Sequence, residues 1–183
     1  MFSIIETQRL TLYSERRNGG FTMLRLSWLI SMGISLFGVM IIQHFFTMKP
    51  DETANAGNLG AFGIALVAPF ILLSLFITYR FFVESARHAR DQMMRMIYFV
   101  FGIALLIVLI FYANGYKDDV LAQLGGGTNT PGSQIYGFPV LNEYTNNIFI
   151  NFYTFGIIHT ISALLGAIIG IVRPAKQAEV EEQ

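Results

Sequence analysis

Three histidines carry the widest chemical range in this chain, and their positions decide how far that chemistry can reach. His159 lies near the middle of an apolar stretch, with Asn151, Ser162 and Gly166 on roughly the same helical face. An imidazole at that depth could relay protons, ligate a haem iron or contact a quinone, because ionisable groups are expensive to keep inside a membrane. The plainer role is a neutral ring hydrogen-bonded to a neighbouring helix, with Asn151 doing the same. We favour the plainer role, since His44 is its only chemical companion in the apolar stretches.

His44 is a poor partner for a shared haem. At 1.5 Å per residue it lies about 5 Å from the outer end of its span, and His159 lies about 16 Å from that same face. Two axial histidines need similar depth, and a difference of roughly 11 Å denies it. No cofactor is therefore assigned, and His159 stands as the one residue that could hold one. His88 falls in a polar turn and needs no special role.

Other chemistries have less to work with. Cysteine is absent, which removes disulfides, thiolate metal sites and thiol nucleophiles together. Asp118, Asp119 and Glu143 could meet outside the membrane and bind Ca²⁺, but they lack an ordered ligand rhythm. A solvated acidic loop explains them, and no metal is expected. Gly125-Gly126-Gly127 is not followed by Lys-Ser/Thr, so it is no phosphate loop. Neither His-Glu-x-x-His nor a Ser–His–Asp frame occurs. The balance favours a protein that is not an enzyme, with no catalytic residue to name.

The elements that must position these groups are four charge-free apolar stretches: Leu26–Met48, Leu59–Tyr79, Met96–Ala113 and Ile148–Val172. Each is near or above the roughly 20 residues a helix needs to cross about 30 Å of hydrocarbon. The chain has 183 residues, 54% of them hydrophobic and 13% charged, too apolar in long runs for a water-soluble core. Net charge is zero, which gives no case for nucleic acid. The fold class expected is an all-α integral membrane protein, a four-helix up-down bundle.

Basic residues set the threading. Arg9, Arg16, Arg17 and Arg25 precede or begin span one, Arg80, Arg87, Arg90 and Arg95 separate spans two and three, and Arg173 and Lys176 follow span four. Only Lys49 and Lys117 fall in the other two connections. Both termini should therefore be cytoplasmic, in what reads as a bacterial cytoplasmic (inner) membrane. Trp28, Tyr79 and Tyr98 would mark the inner interface, and Tyr112, Tyr116 and Tyr144 the outer one. A cleaved signal ending at Ala54-Asn55-Ala56 competes with this reading, but the first run is too long for it, so span one should be retained.

The expected organisation is a cytoplasmic lead at 1–22, spans one to three with short loops at 23–113, an outer loop at 114–147, span four at 148–173 and a cytoplasmic tail at 174–183. In the lead, Phe2, Ile5, Leu12 and Tyr13 could share one face of a helix, while Leu10 and Leu12 alternate as in a strand, and Asn18-Gly19-Gly20 should then break whichever forms. Glu84, Arg87, His88, Asp91 and Arg95 sit at helical spacing and predict a solvated hairpin tip. In the outer loop, Asp118 or Asp119 could cap a short helix through Leu124, and residues 125–132 read as mobile turn. Ile135, Tyr136, Phe138, Val140 and Leu141 are too apolar for a free linker and should fold onto the bundle or another subunit.

Small residues point to helix seams. Ser27, Ser31, Ser35 and Gly38 form a stripe on span one, and Ser162, Gly166 and Gly170 form another on span four, each allowing close backbone approach. Pro69 should kink span two. The function these features favour is a non-catalytic accessory or assembly subunit of a larger membrane complex, docking by its outer loop. Its partners would be the lipid bilayer and other membrane subunits, or further copies of itself. The alternative is an oligomeric channel or small-molecule transporter with a polar face around His159 and Asn151.

Overall fold

A computed structural model describes residues 2–50, 52, 59–89 and 92–172, with side chains described from residue 19 onward except at 92 and 94. The tail, Arg173, Lys176, Ala54–Ala56, Arg90 and Asp91 lie outside the described residues, as do the side chains of Phe2, Ile5, Leu12 and Tyr13. The described residues form helices α1 (Phe2–Phe45), α2 (Leu59–His88), α3 (Gln92–Gln123), α4 (Asn146–Phe149) and α5 (Phe152–Val172), with no strand. Four segments are long and apolar enough to cross a membrane: Gly19–Phe45, Leu59–His88, Arg95–Gln123 and Asn146–Val172. The chain is thus an all-helical, multi-pass membrane protein.

Two helices run further than the sequence suggests. α1 continues through Asn18-Gly19-Gly20, which was expected to end the lead segment. Glycine keeps its backbone donor and acceptor, so it costs a helix only about 1 kcal/mol against alanine and does not force a break. α3 likewise runs past Asp118 and Asp119 to Gln123, so neither opens a new helix. It ends instead at Gly125, where φ is +75° and the Gly126 N–H reaches back 2.8 Å to the Leu121 carbonyl. This left-handed close suits glycine, which has no Cβ to clash.

α2 and α5 form the centre of the bundle, with α1 packed on α2 and α3 on α5. Ser74, Leu75, Tyr79 and Val83 of α2 meet His159, Ser162, Gly166 and Gly170 of α5 in the same order along both helices. A Cβ on Gly166 would lie 2.5 Å from the Tyr79 carbonyl oxygen, and one on Gly170 would collide with the Val83 carbonyl. These glycines therefore let backbone touch backbone. On α1, Ser35 is buried and donates to the Phe70 carbonyl at 2.8 Å, while a Cβ on Gly38 would meet Val67 at 2.5 Å.

Ser31 joins that seam but Ser27 is exposed. The bulky Trp28 ring, stacked 4.6 Å from Phe81, takes the contact at this level. α2 passes through Pro69 without interruption.

The 114–147 loop is a folded cap. Ile135, Leu124 and Tyr144 bury together, with Met48 packed against them. Its glycine-rich run is held by Gln134 N–H to Leu124 O at 2.9 Å and Ser133 Oγ to Gly127 O at 2.8 Å. The cap is tied to the α1–α2 connection, where the Glu52 carbonyl accepts from Tyr144 Oη at 2.7 Å and Gln134 Nε2 at 3.2 Å. Tyr144 is consequently a core residue of the cap and not an outer-interface anchor. The apolar segment thus divides: Ile135 turns inward, while Tyr136, Phe138, Val140 and Leu141 stay exposed.

Candidate functional site

α1 and α3 flank the α2–α5 pair and leave a groove between them of about 560 Å³. One wall is α1, which contributes Trp28, Met32 and Leu36 at intervals of one turn. The other is α3, which contributes Tyr98, Phe101, Leu105 and Leu109. Thr78, Phe82, Phe155, His159, Ala163 and Ala167 form the floor. Small side chains at Ala163 and Ala167 keep that floor open, whereas Gly102 is filled by Leu164, 2.7 Å from where its Cβ would stand.

His159 is buried in this floor. Its Nδ1 lies 2.8 Å from the Phe155 carbonyl oxygen and its Nε2 lies 2.8 Å from Ser74 Oγ. A carbonyl only accepts, so the Nδ1 carries the hydrogen. In the neutral ring Nε2 then accepts from the Ser74 hydroxyl. Ser74 Oγ is also 2.9 Å from the Ile71 carbonyl, so its hydrogen has a second acceptor within reach. A doubly protonated ring would donate to Ser74, and the hydroxyl would turn to Ile71. Both states are fully bonded, and one proton separates them.

Every polar group along the groove already has an internal partner. Trp28 Nε1 donates to Thr78 Oγ1 at 3.1 Å, and Thr78 Oγ1 donates to the Ser74 carbonyl at 2.7 Å. Tyr98 Oη pairs with Ser85 Oγ at 3.0 Å, and Thr160 Oγ1 donates to Gly156 O at 2.7 Å. Satisfied groups gain little from a polar ligand, so the site as built suits hydrocarbon.

The other residues singled out in the sequence fall elsewhere. Asn151 stands just before α5 and caps it: its Oδ1 accepts from Thr154 N–H at 2.9 Å, and Thr154 Oγ1 accepts from Asn151 N–H at 3.0 Å. Its amide nitrogen is spent on the Asn147 and Ile148 carbonyls. Asn151 and His159 are therefore not joined in one network. Ser162 Oγ donates to the Leu75 carbonyl at 2.8 Å and belongs to the α2–α5 seam. His44 is exposed against Phe45, and His88 lies beside Glu84 at the α2 end. Among the described residues, no three His, Asp or Glu side chains converge as a metal site would require.

Sequence reasoning missed Ser74, the partner of His159, and, although it placed Tyr116 at an interface, it did not foresee that Gln43 and Asn147 hydrogen-bond to the Tyr116 hydroxyl. Tyr153 adds to that cluster, with its ring 6.0 Å from Tyr112 and 5.9 Å from Tyr116. Tyr112 and Tyr116 were legible as interface aromatics, and Tyr153 was the member of that belt left unread. Compared with known proteins, the chain matches no family model, no curated protein and no solved structure.

The network predicts a mild response to loss of the imidazole. His159→Ala should lower stability by only about 1 kcal/mol, because the Ser74 hydroxyl turns to Ile71 and leaves no orphan. Thermal unfolding in detergent measures this. A drop comparable to that of a disrupted helix seam would show that the ring holds the bundle together.

Proposed function

We propose that this chain is a non-catalytic accessory or assembly subunit of a larger complex in a bacterial cytoplasmic membrane. It would thread up and down four times, with both termini and the 80–95 turn on the cytoplasmic side. The observation that carries this reading is the exposed crest of the outer cap: Tyr136, Phe138, Val140 and Leu141 project from a loop whose backbone is bonded in place. An ordered segment outside the spans that exposes clustered large apolar side chains is suited to cover by a partner. The partner that fits is the outer face of another membrane subunit with an apolar surface.

Transport finds less support. Coupled carriers place an ionisable group where a substrate path can reach it. Here His159 is the only histidine lining the groove, its two nitrogens are engaged, and Asn151 is occupied in capping.

Affinity capture in mild detergent tests the proposal. A stoichiometric membrane partner should be recovered with the wild type. Val140→Glu combined with Tyr136→Asp should release it, with the melting temperature of the bundle unchanged. Recovery of the chain alone, or only as a homo-oligomer, would overturn the assignment.

A further inference from the structure

We propose that the groove between α1 and α3 is a binding site for one anionic glycerophospholipid, with an acyl chain in the groove and its phosphate held by Arg25 and Arg95. The groove extends from Tyr98 to Leu109 along α3, about 17 Å at 1.5 Å per residue, and so matches much of one acyl chain in length. Its wall donors and acceptors are spent internally, which leaves hydrocarbon as the complementary chemistry.

One end of the groove is marked by charge. Phe82 lies between Trp28 and Tyr98, with ring centroids at 6.0 and 6.2 Å, so those two residues are level across the groove. Arg25 is three residues before Trp28 and Arg95 three before Tyr98. Both arginines therefore continue the groove-facing stripes of their helices, one on each side, one turn beyond the aromatic level.

Arg95 reaches the Ala89 carbonyl through Nη2 at 3.5 Å, a long contact, while its buried Nε has no hydrogen-bond partner among the described residues. A buried guanidinium donor left unpaired is costly, and a phosphate oxygen is the acceptor it fits best. The nearest described acid on α2, Glu84, is already placed against Arg87 at 3.6 Å and His88 at 3.5 Å. Lipid thus satisfies both halves of the site: acyl chain along the aromatic and aliphatic walls, phosphate at the arginines.

Trp28 is the only tryptophan in the chain and lines the groove, so it reports occupancy directly. Delipidated full-length protein in detergent is titrated with phosphatidylglycerol or phosphatidylcholine carrying a dibrominated acyl chain. Quenching of Trp28 should saturate at one lipid per chain, with phosphatidylglycerol binding about tenfold tighter than phosphatidylcholine. Arg25→Gln with Arg95→Gln should erase that preference. Ala163→Phe should abolish the saturable phase by filling the floor, and Leu105→Phe serves if that variant fails to fold. Quenching that rises without saturation, or that is identical in the arginine variant, would overturn the site. So would a Trp28 shielded from lipid by a second copy or by a partner's helix.

Discussion

Gly166→Leu should unfold the bundle more readily than any substitution on a lipid-facing surface, at a cost of about 3 kcal/mol. The first added carbon would stand 2.5 Å from the Tyr79 carbonyl oxygen and 3.2 Å from Phe82 Cβ. A side chain could swing aside, but a helical carbonyl cannot move without moving its helix. α2 and α5 must therefore separate, and the Ser162–Leu75 and Ser74–His159 contacts separate with them.

Inside lipid the larger side chain gains nothing in return, because hydrocarbon is as good a neighbour as protein. Gly33→Leu is the matched control, since nothing lies within 4 Å of a Cβ there. Thermal unfolding in detergent should separate the two variants widely. Equal melting temperatures would mean that α2 and α5 do not touch at this point.

Ile135→Ala should open the cap built on the 114–147 loop and leave the four spans intact. Ile135 is fully buried, sharing its cluster with Leu124 and Tyr144 outside the spans. There water is the competing solvent, so removing three carbons costs about 3 kcal/mol through lost transfer energy and the cavity left behind. At about 1.4 kcal/mol per tenfold, exchange of the Gln134 and Gly137 amides should speed up by roughly a hundredfold. These amides bond to Leu124 O and Thr128 O, so they report closure of the cap. Hydrogen exchange by mass spectrometry gives the measurement, and unaltered protection would show that the cap is held by its hydrogen bonds alone.

The two variants also show which parts of the molecule can be read from residue order. The spans are legible because bilayer physics acts on each helix separately: a long run without charge suffices. The seam glycines were legible for the same local reason, since Gly166 and Gly170 sit one turn apart. Ser27 shares the spacing of Ser31 and Ser35 yet is exposed, because a stripe does not reveal where a neighbouring Trp28 will hold the helices apart.

Helix ends were less legible. Gly19-Gly20 and Asp118-Asp119 are weak preferences that an otherwise continuous hydrogen-bond ladder overrides. The groove was not legible at all. It is made by a space between α1 and α3, and His159 acquires meaning only beside Ser74, 85 positions away in the chain.

The placement of α3 has a consequence for how the protein is made. Its chief companion is α5, the next span to leave the ribosome, and not the two spans that come before it in the sequence. At 5–20 residues per second, the third span waits about 3–10 s for the fourth to emerge. Throughout that interval its groove-facing stripe, Gly102 included, has only bilayer or an insertion factor to lean on. Nascent chains stalled before residue 146 should therefore be the form that quality-control proteases recognise.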